Sequence, residues 1–367
     1  MNRQAFAPMI PSAFSLIIAL LVPASVTAAD ADLSAMRKKA IQFLEVTQNT
    51  DGSWTRSDLV GVSGLVTTSL LKSGLSPEHP LVAKGLAHLI SHSRPDGGVY
   101  AKDSLHRNYE TCIAVMAFTA ASSDGRYDDR LKAAEKFLRK LQWDQGEGIE
   151  SSDPAWGGAG YGSHQRPDMS NTQFLLEALH SAGAGADDPA IKAALKFVTR
   201  AQNLETSHND RDAAGLVNDG GFIYTPANGG ESKAGATENG GLRSYGSMTY
   251  AGLKSLIYAG MDRSDPRVQA AAEWIRKNYT LKENPGMRQQ GLFYYFHTFA
   301  KTMDVLGQDN FRDAQGVVHD WKAELTQRLA DLQQPNGSWV NPADRWYEGD
   351  PNLVTAYCLL ALSHCEE

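Results

Sequence analysis

Lys39 to Trp54 reads KAIQFLEVTQNTDGSW. Apolar residues three and four apart predict a one-sided amphipathic helix, and Asp51-Gly52 then predicts a turn, because Gly accepts positive φ without steric cost. The pattern recurs. Lys132 to Gln142 (KAAEKFLRKLQ) and Lys192 to Gln202 (KAALKFVTRAQ) again place Gln five residues after Phe. Lys84 to Ser93 and Arg267 to Tyr279 are looser copies, and Val318 to Gln334 is a sixth, with Leu329 in the Phe place. The turn recurs as Gln333-Gln-Pro-Asn336-Gly337-Ser-Trp339, and more weakly at Asp96-Gly97-Gly98, Trp156-Gly157-Gly158 and Asp219-Gly220-Gly221.

A second helix follows each turn. Six segments align without gaps on Thr67, Thr111, Thr172, Thr249, Thr298 and Thr355, and five of the six residues found six places later are small (Ser73, Ala117, Ala178, Ser255, Ala361; the sixth is Asp304). Small residues at a fixed helical position let helices approach closely. The second helices carry fewer charges than the first, which places them inside. Repeats of this kind bury a continuous core by stacking, and an open stack needs atypical end repeats. Here the first and last turns are the best copies, so the expectation is all-α: a closed α/α toroid of six helical hairpins in two concentric rings, one domain over residues 29–367.

Composition agrees with one globular unit. The chain of 367 residues is 42% hydrophobic, and 35 Lys+Arg against 42 Asp+Glu leave a net charge of −7, which argues against nucleic-acid binding through phosphate contacts. Three cysteines are too few for a disulfide scaffold. Arg3 is the sole charge among the first 28 residues, and Phe14 to Val22 is apolar but too short to span a bilayer. With small residues following, this predicts a signal peptide over 1–28, cleaved after Ala28, and a periplasmic or secreted chain without a transmembrane segment.

The Lys39–Trp54 string resembles the QW repeat of squalene and hopene cyclases, and the whole repeated chain resembles the terpenoid cyclase and protein prenyltransferase toroid superfamily. The resemblance implies the toroid fold and a central cavity for an isoprenoid-type substrate. It carries less about chemistry. Protonating cyclases use an Asp-x-Asp-Asp-Thr string at the start of an inner helix; here it reads Asp168-Met169-Ser170-Asn171-Thr172, so two of the acids are missing. Asp168 and Ser170 equally suit helix caps. Prenyltransferases hold zinc with Asp-x-Cys on one inner helix and a His on the next; His297-Thr298 matches the second half, but Ser247-Met248-Thr249 stands for the first. No metal site and no cofactor are expected, since one imidazole does not make a zinc site.

The starts of the inner helices gather polar and aromatic residues where a toroid opens. Glu110, His297 and Asp168 are the candidate catalytic groups. Asn108, Tyr109, Trp156, Ser170, Asn171, Tyr245, Ser247, Tyr250, Tyr294, Tyr295 and Asn352 are the candidate ligand-binding residues. An aromatic-rimmed cavity with a few polar groups fits a small molecule, apolar or carbohydrate. Glu110 and His297 belong to opposite repeats of the ring. Two loops, Trp143 to Met169 and Asn203 to Gly246, are long enough to lid the cavity. Three readings stay open: a cyclase-type enzyme on an apolar ligand, a non-catalytic binding toroid, and a polysaccharide-active toroid.

Overall fold

The computed structural model describes residues 28–162 and 166–366. Residues 1–27 of the expected leader lie outside them. Among the described residues twelve α-helices alternate between two rings. The outer ring is α1 (Ala28–Thr47), α3 (Pro80–Ser91), α5 (Asp128–Arg139), α7 (Pro189–Ala201), α9 (Pro266–Asn278) and α11 (Trp321–Leu332). The inner ring is α2 (Val60–Lys72), α4 (Arg107–Ala121), α6 (Met169–Ser181), α8 (Gly246–Tyr258), α10 (Leu292–Leu306) and α12 (Pro351–Leu362). Each inner helix packs on the next, and α12 packs back on α2, while α1 meets α11 in the outer ring. The toroid is therefore closed. Val318 to Asp320, expected in the last outer helix, instead form a strand paired with Asn310–Arg312 in a small hairpin ahead of α11. Asp320 then caps α11 through the Ala323 amide, so the helix starts at Trp321.

Local chemistry sets the helix starts. Pro occupies the first position of α3, α7, α9 and α12, and the residue before it accepts an N–H from the first turn: His79, Asp188, Asp265 and Asp350. Proline's fixed φ is pre-set for that position, and Asp is a preferred cap.

The repeated Gln ties one outer helix to the next. Gln142 Nε2 donates to Gly157 O (2.8 Å) in the following turn and to Ala190 O (2.9 Å) in α7. Gln202 does the same to Gly220 O and Arg267 O, both at 2.9 Å. Gln48 reaches Gly52 O and Leu81 O, and Gln333 reaches Gly337 O and Met36 O, which carries the stitch from α11 to α1. The glycine is obligatory for a second reason. At Gly157, φ is +86° and a Cβ would stand 1.9 Å from Ala193 O; Gly52, Gly97, Gly220 and Gly337 press in the same way on the next outer helix. Trp54 and Trp339, both fully buried, donate their indole N–H to Leu44 O and Leu329 O at 2.8 Å. Leu329 thus matches Leu44, one residue beyond the expected Phe place.

The register of the inner helices is corrected in the first repeat. The amide following the turn glycines bonds to Thr111 (3.1 Å from Val99 N), Thr172 (3.0 Å from Ala159 N), Thr249 (3.0 Å from Phe222 N) and Thr355 (3.2 Å from Trp339 N). In the first repeat the equivalent amide, Trp54 N, bonds to Ser63 Oγ at 3.1 Å, and Thr67 merely donates to Ser63 O within its own helix. The true register residue is Ser63, one turn earlier, and the small residue six later is the fully buried Ser69, not Ser73 at the helix end. In α10, Thr298 donates to Tyr294 O and Tyr295 O, as Thr111 and Thr249 also donate within their own helices.

Candidate functional site: an aromatic cavity at the inner-helix N-termini

All six inner helices begin at the same end of the toroid. Their first turns surround a cavity of about 280 Å³, lined from α2 by Gly61 and Val62, from α4 by Tyr109 and Glu110, from α6 by Ser170 and Phe174, from α8 by Ser247 and Met248, from α10 by Tyr294, and from α12 by Leu353 and Tyr357. Gly61 makes room for this wall. A Cβ there would stand 2.6 Å from Cε1 of Tyr109. Tyr109 reaches past α2 to share a hydroxyl hydrogen bond with Tyr357. Burial pushes the Tyr109 phenol up to about 12. Tyr294 hydroxyl meets Ser170 Oγ and Gln173 Nε2, both at 3.0 Å, across the axis. Loops close the rim. Tyr161 comes from the first long loop, and Tyr224, Lys233 and Tyr245 come from the second. Trp346, Tyr347 and Glu348 come from the segment before α12. Both long loops thus contribute to the mouth.

Two carboxyl groups line the cavity. Glu110 Oε2 accepts Ala101 N–H at 3.0 Å and Oε1 accepts the Ser104 hydroxyl at 2.9 Å. Desolvation outweighs these bonds and raises its pKa to about 7. Glu348 Oε1 accepts the amide of Tyr294 (2.7 Å) and its Oε2 accepts Asn341 Nδ2 (2.6 Å). It therefore caps α10 from another segment, following Gly291 in the left-handed conformation, and burial raises it also to about 7. Its two predecessors, Trp346 and Tyr347, both hold positive φ (60° and 68°) and stay exposed at the rim. Non-glycine residues in this region store on the order of 1–3 kcal/mol each and cluster at functional sites.

Of the residues expected at the site, Tyr109, Glu110, Ser170, Tyr245, Ser247 and Tyr294 line the cavity. The others do not. Asp168 caps α6, accepting the Asn171 amide at 2.9 Å and Asn171 Nδ2 at 2.8 Å, and touches the wall through the Tyr224 hydroxyl; burial raises it to about 6. That role also accounts for Asn171. Asn108 donates to Gly160 O at 2.9 Å, and Asn352 bridges Thr47 and Thr55. Tyr250 packs on Tyr295 and Phe299, and Tyr295 donates to Thr280 O, so both face away from the cavity. Trp156 is half-buried with Lys196 of α7 over its ring. His297 lies one turn below Tyr294, buried and stacked on Tyr357 at 5.7 Å, with desolvation and nearby lysines holding its pKa well below normal. The ring puts α4 and α10 on opposite sides, and His297 is not brought to Glu110.

Sequence reasoning missed Glu348, Lys233, Tyr224 and Phe174. Phe174 and Tyr357 each follow a register threonine by two residues, and Tyr109, Ser170, Ser247 and Leu353 precede one by two, so that spacing would have found Phe174 but none of the loop residues. Among the described residues no group of three or more His, Cys, Asp or Glu side chains is placed to hold a metal ion, and no helix is long and apolar enough to cross a membrane.

Comparison with known proteins places this geometry. Residues 57–223 match the squalene-hopene cyclase C-terminal domain family. No curated protein sequence matches the chain. A variant of the type II terpene cyclase MstE from Scytonema, without ligand, superposes with a TM-score of 0.56 at 14% identity, covering 91% of this chain and 96% of that one. Another variant, in complex with the substrate geranylgeranyl dihydroxybenzoate, gives 0.56 at 14% identity, covering 91% and 97%. A family 76 glycoside hydrolase from a bovine Bacteroides thetaiotaomicron strain gives 0.55 at 11% identity, covering 89% and 78%. With its closed double ring and its stitched turns, the chain is an α/α toroid, and its residues 57–223 are similar to the squalene-hopene cyclase C-terminal domain.

Proposed function

We propose that this chain is exported and holds an apolar, isoprenoid-type ligand in its aromatic cavity. The observation that carries the reading is the lining itself. Tyrosine faces, Phe174, Met248, Val62 and Leu353 enclose the space with few polar groups, the profile of a site that recognises a molecule by apolar contact. A related toroid binding a geranylgeranyl compound supports the ligand class.

The acid groups set the chemistry. An alkene is a poor base and needs a strong proton donor. Glu110 and Glu348, near 7 and each accepting two hydrogen bonds, are weak ones. Neither carboxyl therefore suits protonation of an alkene. Glu110, facing the ligand, serves weak acid or base chemistry at an oxygen. Mass spectrometry of material extracted from the purified protein tests the reading, together with fluorescence titration by geranylgeraniol. A polyprene in the extract and saturable quenching, lost in Tyr109→Ala, are expected. An extracted oligosaccharide would transfer the site to the polysaccharide-active reading, and absence of any binding would defeat the proposal.

A further inference from the structure

Below the cavity floor the toroid axis is charged. Glu177 of α6, Lys254 of α8 and Lys301 of α10 meet in the interior. Lys254 Nζ lies 3.0 Å from Glu177 Oε2, and Lys301 Nζ bonds Glu177 Oε1. The side chains of Lys254 and Glu177 are 1% and 5% exposed, and that of Lys301 is 15% exposed. One carboxylate thus faces two ammonium groups. Asp304, further along α10, is half-exposed and pairs with His364. Burying an uncompensated charge is costly, because water no longer solvates it.

Donors are in excess as well. An ammonium has three N–H bonds, and that of Lys254 makes one hydrogen bond, to Glu177, with the Tyr258 ring 5.8 Å away. Among the described residues Lys301 likewise hydrogen-bonds Glu177 alone. His297 precedes Lys301 by one helical turn and therefore shares its face. It is 2% exposed, its Nδ1 has no partner, and the charges of Lys301, Lys254 and Glu177 act on it. Buried donors are almost always satisfied. An imidazole N–H and spare ammonium N–H bonds around a net positive charge call for an acceptor that is itself negative.

We propose that a small inorganic anion of the halide type is bound inside the toroid by Lys254, Lys301 and the Nδ1–H of His297. It neutralises the second ammonium and fills the unused donors, and so it is a structural ion beneath the ligand cavity, independent of what that cavity binds.

Bromide replaces such an anion and can be located by anomalous scattering. Crystals soaked in bromide are expected to show an anomalous peak within hydrogen-bond reach of Lys254 Nζ and His297 Nδ1. In solution, replacing gluconate by chloride at constant ionic strength should raise Tm by roughly 2–4 °C, since a ligand bound to the folded state alone stabilises it. Lys254→Met removes the excess charge and should abolish that response. No peak in the soaked crystals, with water in its place, would overturn the proposal, as would a halide response that survives Lys254→Met. Should that variant fail to fold, the bromide map of the unmodified protein decides.

Discussion

Glu110 shows how much one side chain's meaning depends on its surroundings. An acid near the start of an inner helix is legible in the sequence, but its wall of tyrosines and its pKa near 7 belong to the fold. The sign of its effect follows. Its folded-state pKa lies above the ordinary value of 4.5, so the folded chain holds the proton more tightly. The stability this provides is present below about pH 4.5 and is lost as pH rises through 7. Asp168 and Glu348 act in the same sense. Glu110→Gln should make the denaturant midpoint fall less, or rise more, between pH 4.5 and 7 than in the unmodified protein, in which buried His297 acts in the opposite sense; an unchanged pH dependence would place it elsewhere. Gly157 is the second residue whose environment decides. Gly157→Ala should cost more than about 3 kcal/mol, through strain at positive φ plus collision with Ala193 O. Gly183→Ala, at φ +92° with nothing within 4 Å, should cost only about 1 kcal/mol in the same unfolding experiment.

At the scale of the element, amphipathic periodicity identified both sets of helices, and the Gln-Gly-Trp turns marked where they meet. Periodicity could not settle register in α2. A slip of four residues keeps a helical face pointing nearly the same way, so Thr67 and Ser63 look equivalent to any apolar pattern. Only the turn amide distinguishes them, by landing on Ser63. Ser63→Ala leaves the buried Trp54 N–H unpaired and should cost about 1–3 kcal/mol, whereas Thr67→Val loses only a bond to its own helix and should cost less. Equal losses in urea unfolding would restore Thr67 as the register residue. His297 lies beneath the cavity while Tyr294 lines it.

For the whole molecule, closure is what makes a site. The first and last repeats meet through α12 on α2 and α1 on α11, and the Gln333 bond to Met36 O continues the outer stitch across the join. The export reading is a statement about the whole chain as well: the purified mature protein is expected to begin at Ala29 by N-terminal sequencing, and an intact Met1 would refute cleavage. What the sequence by itself determined was the repeat, because helix period recurs in all six hairpins and is reinforced by local turn requirements, five turn glycines, four stitching Gln and two buried Trp. That was enough for twelve helices and two rings. The cavity was decided by the tertiary structure. Its wall combines single residues from six helices with loop residues distant in the chain, such as Glu348 capping α10 and Tyr224 over Asp168. No local rule brings those together, because burial and mutual packing of the closed ring choose which side of each helix faces the axis.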